Sequence, residues 1–522
     1  MFRSTKHVGL ALGIAFALLI SSCGGSSSQQ PAAVSPPPTA PPESATPPPT
    51  ATAESAAEEA APVDESPGEA APVEDSPEEA APVDESPGEA APSDDPVPRD
   101  AEGNIIPPDM PPTTAADQRF SITVVEEFAD GPAGAEAADM DGDGDLDLVV
   151  NSFGWRGINP TPLQFPPGSL TVYWNGGRGL ADWTPQPLIT REDGIYFPNE
   201  ALPHDIDGDG DLDLLVSGGF FVCEFNPAVG PCGALFWLEN SEGDWIRRDI
   251  VPSGSRHFYH RAEFVDIDHD GVDDLITVAE LLDDAEAQWF KGTEGPNRFE
   301  ATPRVIGQGG GSLPVVHDVD GDGDLDLASG QYFLEGQSYV WFENVEPPSD
   351  ALPEGVWERH DITDSQGRTI QLSVIPDLHG DGTEGWVGSN HVPTPETPDD
   401  HEAGIFIMEP PADPRLPWGQ RMISHGIESR PTVGAAFQAA PGVFSWGDVD
   451  NDGDIDLTVS GDGDDRVFWF EQTTPGQFVQ HVLAESFAQA AGGTVADLDG
   501  DGDNEVVFTS YETHEVLIFS LS

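Results

Sequence analysis

The chain is poor in positive charge. Its 522 residues carry 20 lysines and arginines against 95 aspartates and glutamates, a formal net charge of −75. Binding to a phosphate backbone depends on clustered basic side chains that release counterions, so nucleic acid is excluded as a main partner. Cysteine is scarce too, with three in the whole chain, and no second pair or histidine spacing completes a zinc site around them. Long apolar runs are missing: VGLALGIAFALLI, at 8–20, falls short of the roughly 20 residues of a membrane-spanning helix. Catalytic signatures are missing as well. There is no G-x-S-x-G, no H-E-x-x-H and no P-loop, and the nearest fragments, His401-Glu402 and GQGGGS at 307–312, lack the remaining residues.

The apolar run that is present follows Arg3 and Lys6 and ends in small residues before Cys23, the plan of a secretory signal over residues 1–22. Ile20-Ser21-Ser22-Cys23-Gly24 resembles a bacterial lipobox, with Ile where Leu is usual. That resemblance implies that Cys23 becomes a lipidated first residue, exported by the general pathway and anchored at the cell envelope, in the outer membrane or at the cell surface. An ordinary cleaved signal is the alternative. Residues 23–117 are rich in Pro, Ala, Ser and Glu and contain the tandem decapeptides EEAAPVDESP, GEAAPVEDSP, EEAAPVDESP and GEAAPSDDPV. So little apolar surface cannot offset the entropy of ordering, and a disordered acidic tether of at most roughly 290 Å is expected. Cys223 and Cys232, separated by EFNPAVGP, suit a local disulfide in an oxidising compartment; two free thiols are the alternative.

The remaining residues, 118–522, hold a nine-residue acidic loop, D-x-D-G-D-G-x-x-D, that returns seven times at intervals of about 50 to 70 residues. In a calcium loop, side chains at positions 1, 3, 5 and 9 and the carbonyl at position 7 supply oxygen ligands, and glycine at position 6 permits the sharp turn. The first copy supplies Asp139, Asp141, Asp143, Asp145 and Asp147, and the second Asp205, Asp207, Asp209, Asp211 and Asp213. The third has Asp266, Asp268, Asp270, Val272 and Asp274, with Val272 tolerated if only its carbonyl binds. The fourth has Asp318, Asp320, Asp322, Asp324 and Asp326; the sixth Asp448, Asp450, Asp452, Asp454 and Asp456; the seventh Asp497, Asp499, Asp501, Asp503 and Glu505. The fifth departs, with His379 after Asp377 and Gly385 where the last carboxylate belongs, and a weak or empty site is expected there. About six calcium ions are therefore expected. Helical EF-hands are excluded, because these copies place strand residues where such a loop needs its carboxylate at position 12.

An apolar segment such as LDLVV follows each loop, and then an aromatic one: LTVYWNG, ALFWLEN, AQWFKG, YVWFEN, IFIMEP, VFWFEQ, VLIFSLS. These are strands, bounded by Gly, Pro and Asn. Outer strands such as WIRRDIV follow every copy but the last, where the chain ends. The segment RFSITVVEEF, Arg119 to Phe128, has the missing strand's character, so it is expected to pair with the last unit and close a ring without free edges. The expected fold is an all-β, seven-bladed β-propeller with calcium-binding loops, preceded by the disordered linker. Trp174, Trp237, Trp289, Trp341 and Trp469 are expected to pack the blades from equivalent places.

The loops and the W-F-E-N-like strands resemble the FG-GAP/VCBS-type repeats of integrin-like β-propellers. Most FG-GAP tripeptides are absent, which brings the chain nearer the bacterial VCBS branch. The resemblance implies structural calcium between the inner strands and ligands on a face of the propeller. One basic and aromatic concentration stands out, Arg256, His257, Phe258, Tyr259, His260 and Arg261, and Arg256, His257, Tyr259, His260 and Arg261 are candidate ligand-binding residues for a glycan or a carboxylate-bearing group. The same segment also reads as a loop whose rings pack and whose charges pair. His204 and His317, just before their loops, could orient carboxylates or face the channel. The expected function is a calcium-stabilised envelope propeller that binds a glycan or protein without catalysis. A polysaccharide lyase or hydrolase on the same scaffold is the alternative.

Overall fold

The computed structural model describes residues 113–154, 166–226, 228–241, 243–281, 284–332, 338–349, 351–363, 366–393, 401–429 and 439–522. The signal, Cys23 and most of the tether lie outside these residues.

The described residues form seven antiparallel blade sheets, six four-stranded and one five-stranded, whose strands lie side by side in chain order apart from two supplied by the start of the described chain. Their first strands begin at Pro132, Pro198, Ala262, Val315, Thr369, Phe444 and Val495, and contacts between first strands join blades 1 and 2, 3 and 4, 4 and 5, and 6 and 7. This is a seven-bladed β-propeller. Each acidic loop joins the first strand of a blade to the second, so all seven loops emerge on one face.

The second strands explain why the apolar segments after the loops are so short and so uniform. Asp147–Ser152, Asp213–Gly218, Asp274–Ala279, Asp326–Gly330, Gly385–Asn390, Asp456–Val459 and Glu505–Thr509 are buried at every residue. A strand covered on both faces reads as a continuous apolar run. The outermost strands, such as Val356–Thr363, instead alternate between exposed and half-buried residues.

Trp237, Trp289, Trp341 and Trp469 occupy one place in the third strands and are fully buried. Each lies opposite a basic or imidazole residue of the outermost strand: Arg248, Arg304, His360 and His481. The Arg304 guanidinium sits 4.5 Å above the Trp289 ring, and the His481 ring stacks on Trp469 at 4.8 Å. Trp174 does not belong to this set. The place opposite the third residue of the second strand is taken in blade 1 by Val172, paired with Val149. Trp174 lies two residues further on, half-buried, and donates its indole N–H to Gln186 at 2.9 Å.

The ring is closed by the start of the described chain. Phe120–Glu126 pairs antiparallel with Val516–Leu521 and completes blade 7. A further two-residue strand, Thr114–Ala115, extends the outer edge of blade 6 by pairing with Ala484 and Glu485. Between these strands, Arg119 bonds to Asp117 and to Glu471 at 3.1 Å and lies 4.6 Å above Trp469. Phe120 meets the same ring edge-on at 5.5 Å. This segment thus stitches blade 6 to blade 7. Because Phe120 is 5% exposed within the apolar cluster of those two blades, Phe120→Ala should cost about 3 kcal/mol in urea unfolding. A loss well below about 1 kcal/mol would show that this strand does not secure the ring.

Candidate functional site: the acidic loops

Each loop winds around its own first carboxylate. The amide of the position-6 glycine donates to it in all seven copies, at 2.6–3.2 Å. Those glycines have φ between +84° and +101°, a region that a Cβ makes costly. Position 5 then accepts the amide of position 7, as from Asp145 to Asp143 at 3.0 Å.

Position 9 fastens the loop to the sheet. One oxygen of Asp147 accepts the Met140 amide at 3.0 Å and the other accepts the Asn175 amide of the third strand at 2.8 Å. Asp213, Asp274, Asp326 and Asp456 repeat both bonds. Glu505 keeps the first, to Leu498 at 2.9 Å. All six carboxylates are buried. Burial, reinforced by the neighbouring aspartates, pushes Asp147 and Asp213 up to about 6, and Asp274, Asp326, Asp456 and Glu505 up to about 7, although the backbone amides pull the other way.

Carboxylate oxygens from positions 1, 3 and 9 lie within 4.8 Å of one another in each of the first four loops. Several are buried and accept no hydrogen bond, among them Oδ1 of Asp139, Asp450 and Asp497. Hard, all-oxygen donor sets with unsatisfied charge fit a divalent cation such as calcium.

The seven loops are not equivalent. In the third, the Lys291 ammonium bonds to Asp268 and, at 2.6 Å, to Asp270. Two of the carboxylates expected to hold a metal are thus paired with an internal cation, while Asp266, Asp268 and Asp274 still converge as in the other loops. The signal lay in the aromatic segments: Lys291 stands where blades 2, 4 and 6 carry Glu239, Glu343 and Glu471. In the fourth loop Arg415, from blade 5, reaches Asp320 at 2.6 Å and also pairs with Glu343. In the fifth, buried Leu378 fills the place of the missing carboxylate, since a Cβ on Gly385 would lie 2.6 Å from its Cδ2.

The basic segment 256–261 is not a binding surface. Tyr259, His260 and Arg261 are buried. His260 Nδ1 lies 2.5 Å from Glu280, and the Arg261 guanidinium lies 2.7 Å from Glu200. Arg256 is exposed but paired with Glu224 at 3.0 Å, and His257 is half-buried. Phe258 joins an apolar cluster with Phe153, Phe197, Phe220 and Tyr511, where a disulfide links Cys223 to Cys232. His204 stacks on Phe264 and lies 3.3 Å from Asp273, and His317 lies 2.9 Å from Glu384. Neither bonds to the first aspartate of its own loop.

The architecture is that of a repeat propeller whose blades each carry an acidic inter-strand loop. Residues 448–508, in the last two blades of the seven-bladed ring, match the model of the FG-GAP-like repeat family. No curated protein sequence matches the chain. Solved structures with similar blades include the exotype rhamnogalacturonan lyase YesX, at 13% identity and TM-score 0.41 over 80% of this chain and 75% of that one. BBS1N in complex with ARL6DN has 10% identity and TM-score 0.42 over 78% and 97%. A thermostable family-43 glycoside hydrolase has 13% identity and TM-score 0.32 over 60% and 99%. Likeness at this level carries no argument about activity.

The buried pairing of Arg261 generates a prediction. Removing one partner of a buried ion pair leaves an uncompensated charge and costs about 3–5 kcal/mol. Arg261→Met should therefore lower stability by about 3 kcal/mol in chemical denaturation. Unchanged stability would return Arg261 to the ligand candidates.

Proposed function

We propose that the chain is a calcium-stabilised propeller, carried to the cell envelope and held there by a lipid on Cys23, that binds a glycan or protein ligand without catalysis. The observation that carries the calcium part is the repeated convergence of positions 1, 3 and 9 with buried carboxylate oxygens that accept no hydrogen bond. Positions 1, 3, 5 and 9 and the carbonyl of position 7 would hold the ion, which would neutralise charge that otherwise repels. Calcium binds the folded loops and not the unfolded chain, so it stabilises by mass action, by about 2.7 kcal/mol per site at a hundredfold excess over Kd. The lipobox and the acidic tether support presentation at a surface. Incubating the purified protein with bacterial and matrix polysaccharides in millimolar calcium tests the ligand part. Retention of unchanged polymer is expected, and shortened or unsaturated products would replace this reading with an enzyme.

The loops also set a pH dependence. In the chelated protein burial pushes the position-9 carboxylates up to about 6 to 7, above the ordinary carboxylate values of 3.8 for Asp and 4.5 for Glu. The folded state then holds protons that the unfolded chain has released, so stability falls as pH rises from about 4 to about 7. Thermal unfolding with a chelator should show a Tm that declines across this range, and added calcium should restore it most strongly above about pH 7. A flat or rising Tm without metal would contradict the account.

Lys291 makes the third loop a separate test. Lys291→Met should raise the calcium stoichiometry measured by isothermal titration by about one ion, because the Asp268 and Asp270 carboxylates lose their internal cation. An unchanged stoichiometry would mean that the ammonium does not stand in for the metal.

A further inference from the structure

A cavity of about 480 Å³ opens on the face of the acidic loops, between the second and third of them, and its lining includes His204, Phe264, Val272, Glu294 and Arg298. Its volume lies in the range of small-ligand sites. Two features distinguish it from a gap between loops.

The first is an aromatic stack. The His204 and Phe264 rings, from the first strands of adjacent blades, stack with centroids 4.0 Å apart and planes 8° from parallel. Asp273 holds the imidazole at 3.3 Å, and Phe299 lies beside the phenyl ring at 6.2 Å. Each ring covers one face of the other, and both are half-buried rather than enclosed, so the stack offers its edge and outer face for dispersion contact with the C–H face of a pyranose ring.

The second is Arg298. Most described arginines are paired with carboxylates, as Arg261 is with Glu200, Arg304 with Glu300 and Arg466 with Asp464, whereas Arg368 lies over the Tyr332 ring and Arg421 donates to the Gly476 carbonyl. Arg298 makes no ion pair with a described residue. Its only side-chain hydrogen bond runs from Nε to the Ile206 carbonyl at 2.9 Å, which leaves both terminal nitrogens available. Its backbone sits at φ +64°, a conformation that costs a non-glycine residue energy and that clusters at ligand sites. The amide of Arg298 donates to the Gly295 carbonyl at 3.0 Å and so closes the turn that holds it. A guanidinium fixed by its Nε and free at its fork is suited to a carboxylate.

We infer that this cavity binds a uronate residue of an acidic glycan. The carboxylate meets the Arg298 fork, the sugar ring lies against the Phe264–His204 stack, and Glu294 at the rim accepts sugar hydroxyls. The inference rests on the glycan-binding reading and names the sugar class and its site. Asp205, which also lines the cavity, belongs to the second loop, and a cation there offsets the repulsion that the loop carboxylates would exert on an anionic sugar.

The test titrates the full chain, at fixed millimolar calcium, with a galacturonate trimer, a neutral galactose trimer and an acidic tetrapeptide. The uronate trimer should bind best. Arg298→Gln should weaken it about tenfold or more while leaving thermal unfolding and the neutral sugar unchanged. Should that variant not fold, protection of Arg298 from phenylglyoxal by the trimer, read by mass spectrometry, takes its place. Equal affinity for the two trimers, uronate binding that is indifferent to Arg298, or Arg298-dependent capture of the tetrapeptide alone would each overturn the cavity assignment. In the first two cases the glycan reading stands. If neither trimer nor any polysaccharide binds, the glycan reading falls with it.

Discussion

The buried carboxylate at position 9 of six of the seven loops is the interaction on which the rest of the propeller depends. In the five full aspartate copies it ties the start of the loop to the third strand through two backbone amides, as Asp147 does with Met140 and Asn175. One side chain therefore fixes the loop, the hairpin below it and the position of the next strand. The same burial that makes the anchor rigid makes its charge expensive, which is why these groups titrate so high without a cation. Protons or cations beside these carboxylates lower that cost.

Ring closure is the second constraint. The ring closes within blade 7, where Phe120–Glu126, which leads by the chain into blade 1, meets Val516–Leu521 through strand pairing, and blades 7 and 1 also pack side chains against each other. Phe120–Glu126 supplies that pairing, and Arg119 and Phe120 extend the seam to Trp469 of blade 6. The preceding Thr114–Ala115 strand covers another edge, so the chain spends its first described residues on the two places where a sheet edge would otherwise remain open.

Much of this was legible because a repeat converts sequence spacing directly into blades. Seven loops implied seven sheets, and the orphan strand at Arg119 to Phe128 had one place to go. What the repeat could not show were contacts between residues distant in sequence. The sequence leaves Arg261 and His260 open between ligand binding and ion pairing because their partners, Glu200 and Glu280, stand 61 and 20 residues away. Trp174 looked like a blade tryptophan because composition matches before register does, and only the pairing of Val172 with Val149 places it elsewhere. Lys291 was visible as WFKG among WFEN and WFEQ. It passed unread because loop positions alone were counted, whereas the third strand also reaches the loop. The cavity beside Arg298 joins three separate stretches of chain, so no local pattern announces it.

The internal cations divide the ring unevenly. Lys291 neutralises the third loop, Arg415 reaches the fourth, and the fifth has replaced its anchor with Leu378 packing on Gly385. Among the described residues, no lysine or arginine is paired with the carboxylates of loops one, two, six and seven, and loops six, seven and one belong to the blades beside the closing strand. A tethered ammonium cannot leave, whereas a bound ion equilibrates with its surroundings, so on the calcium reading the third and fourth loops respond least to the cation concentration.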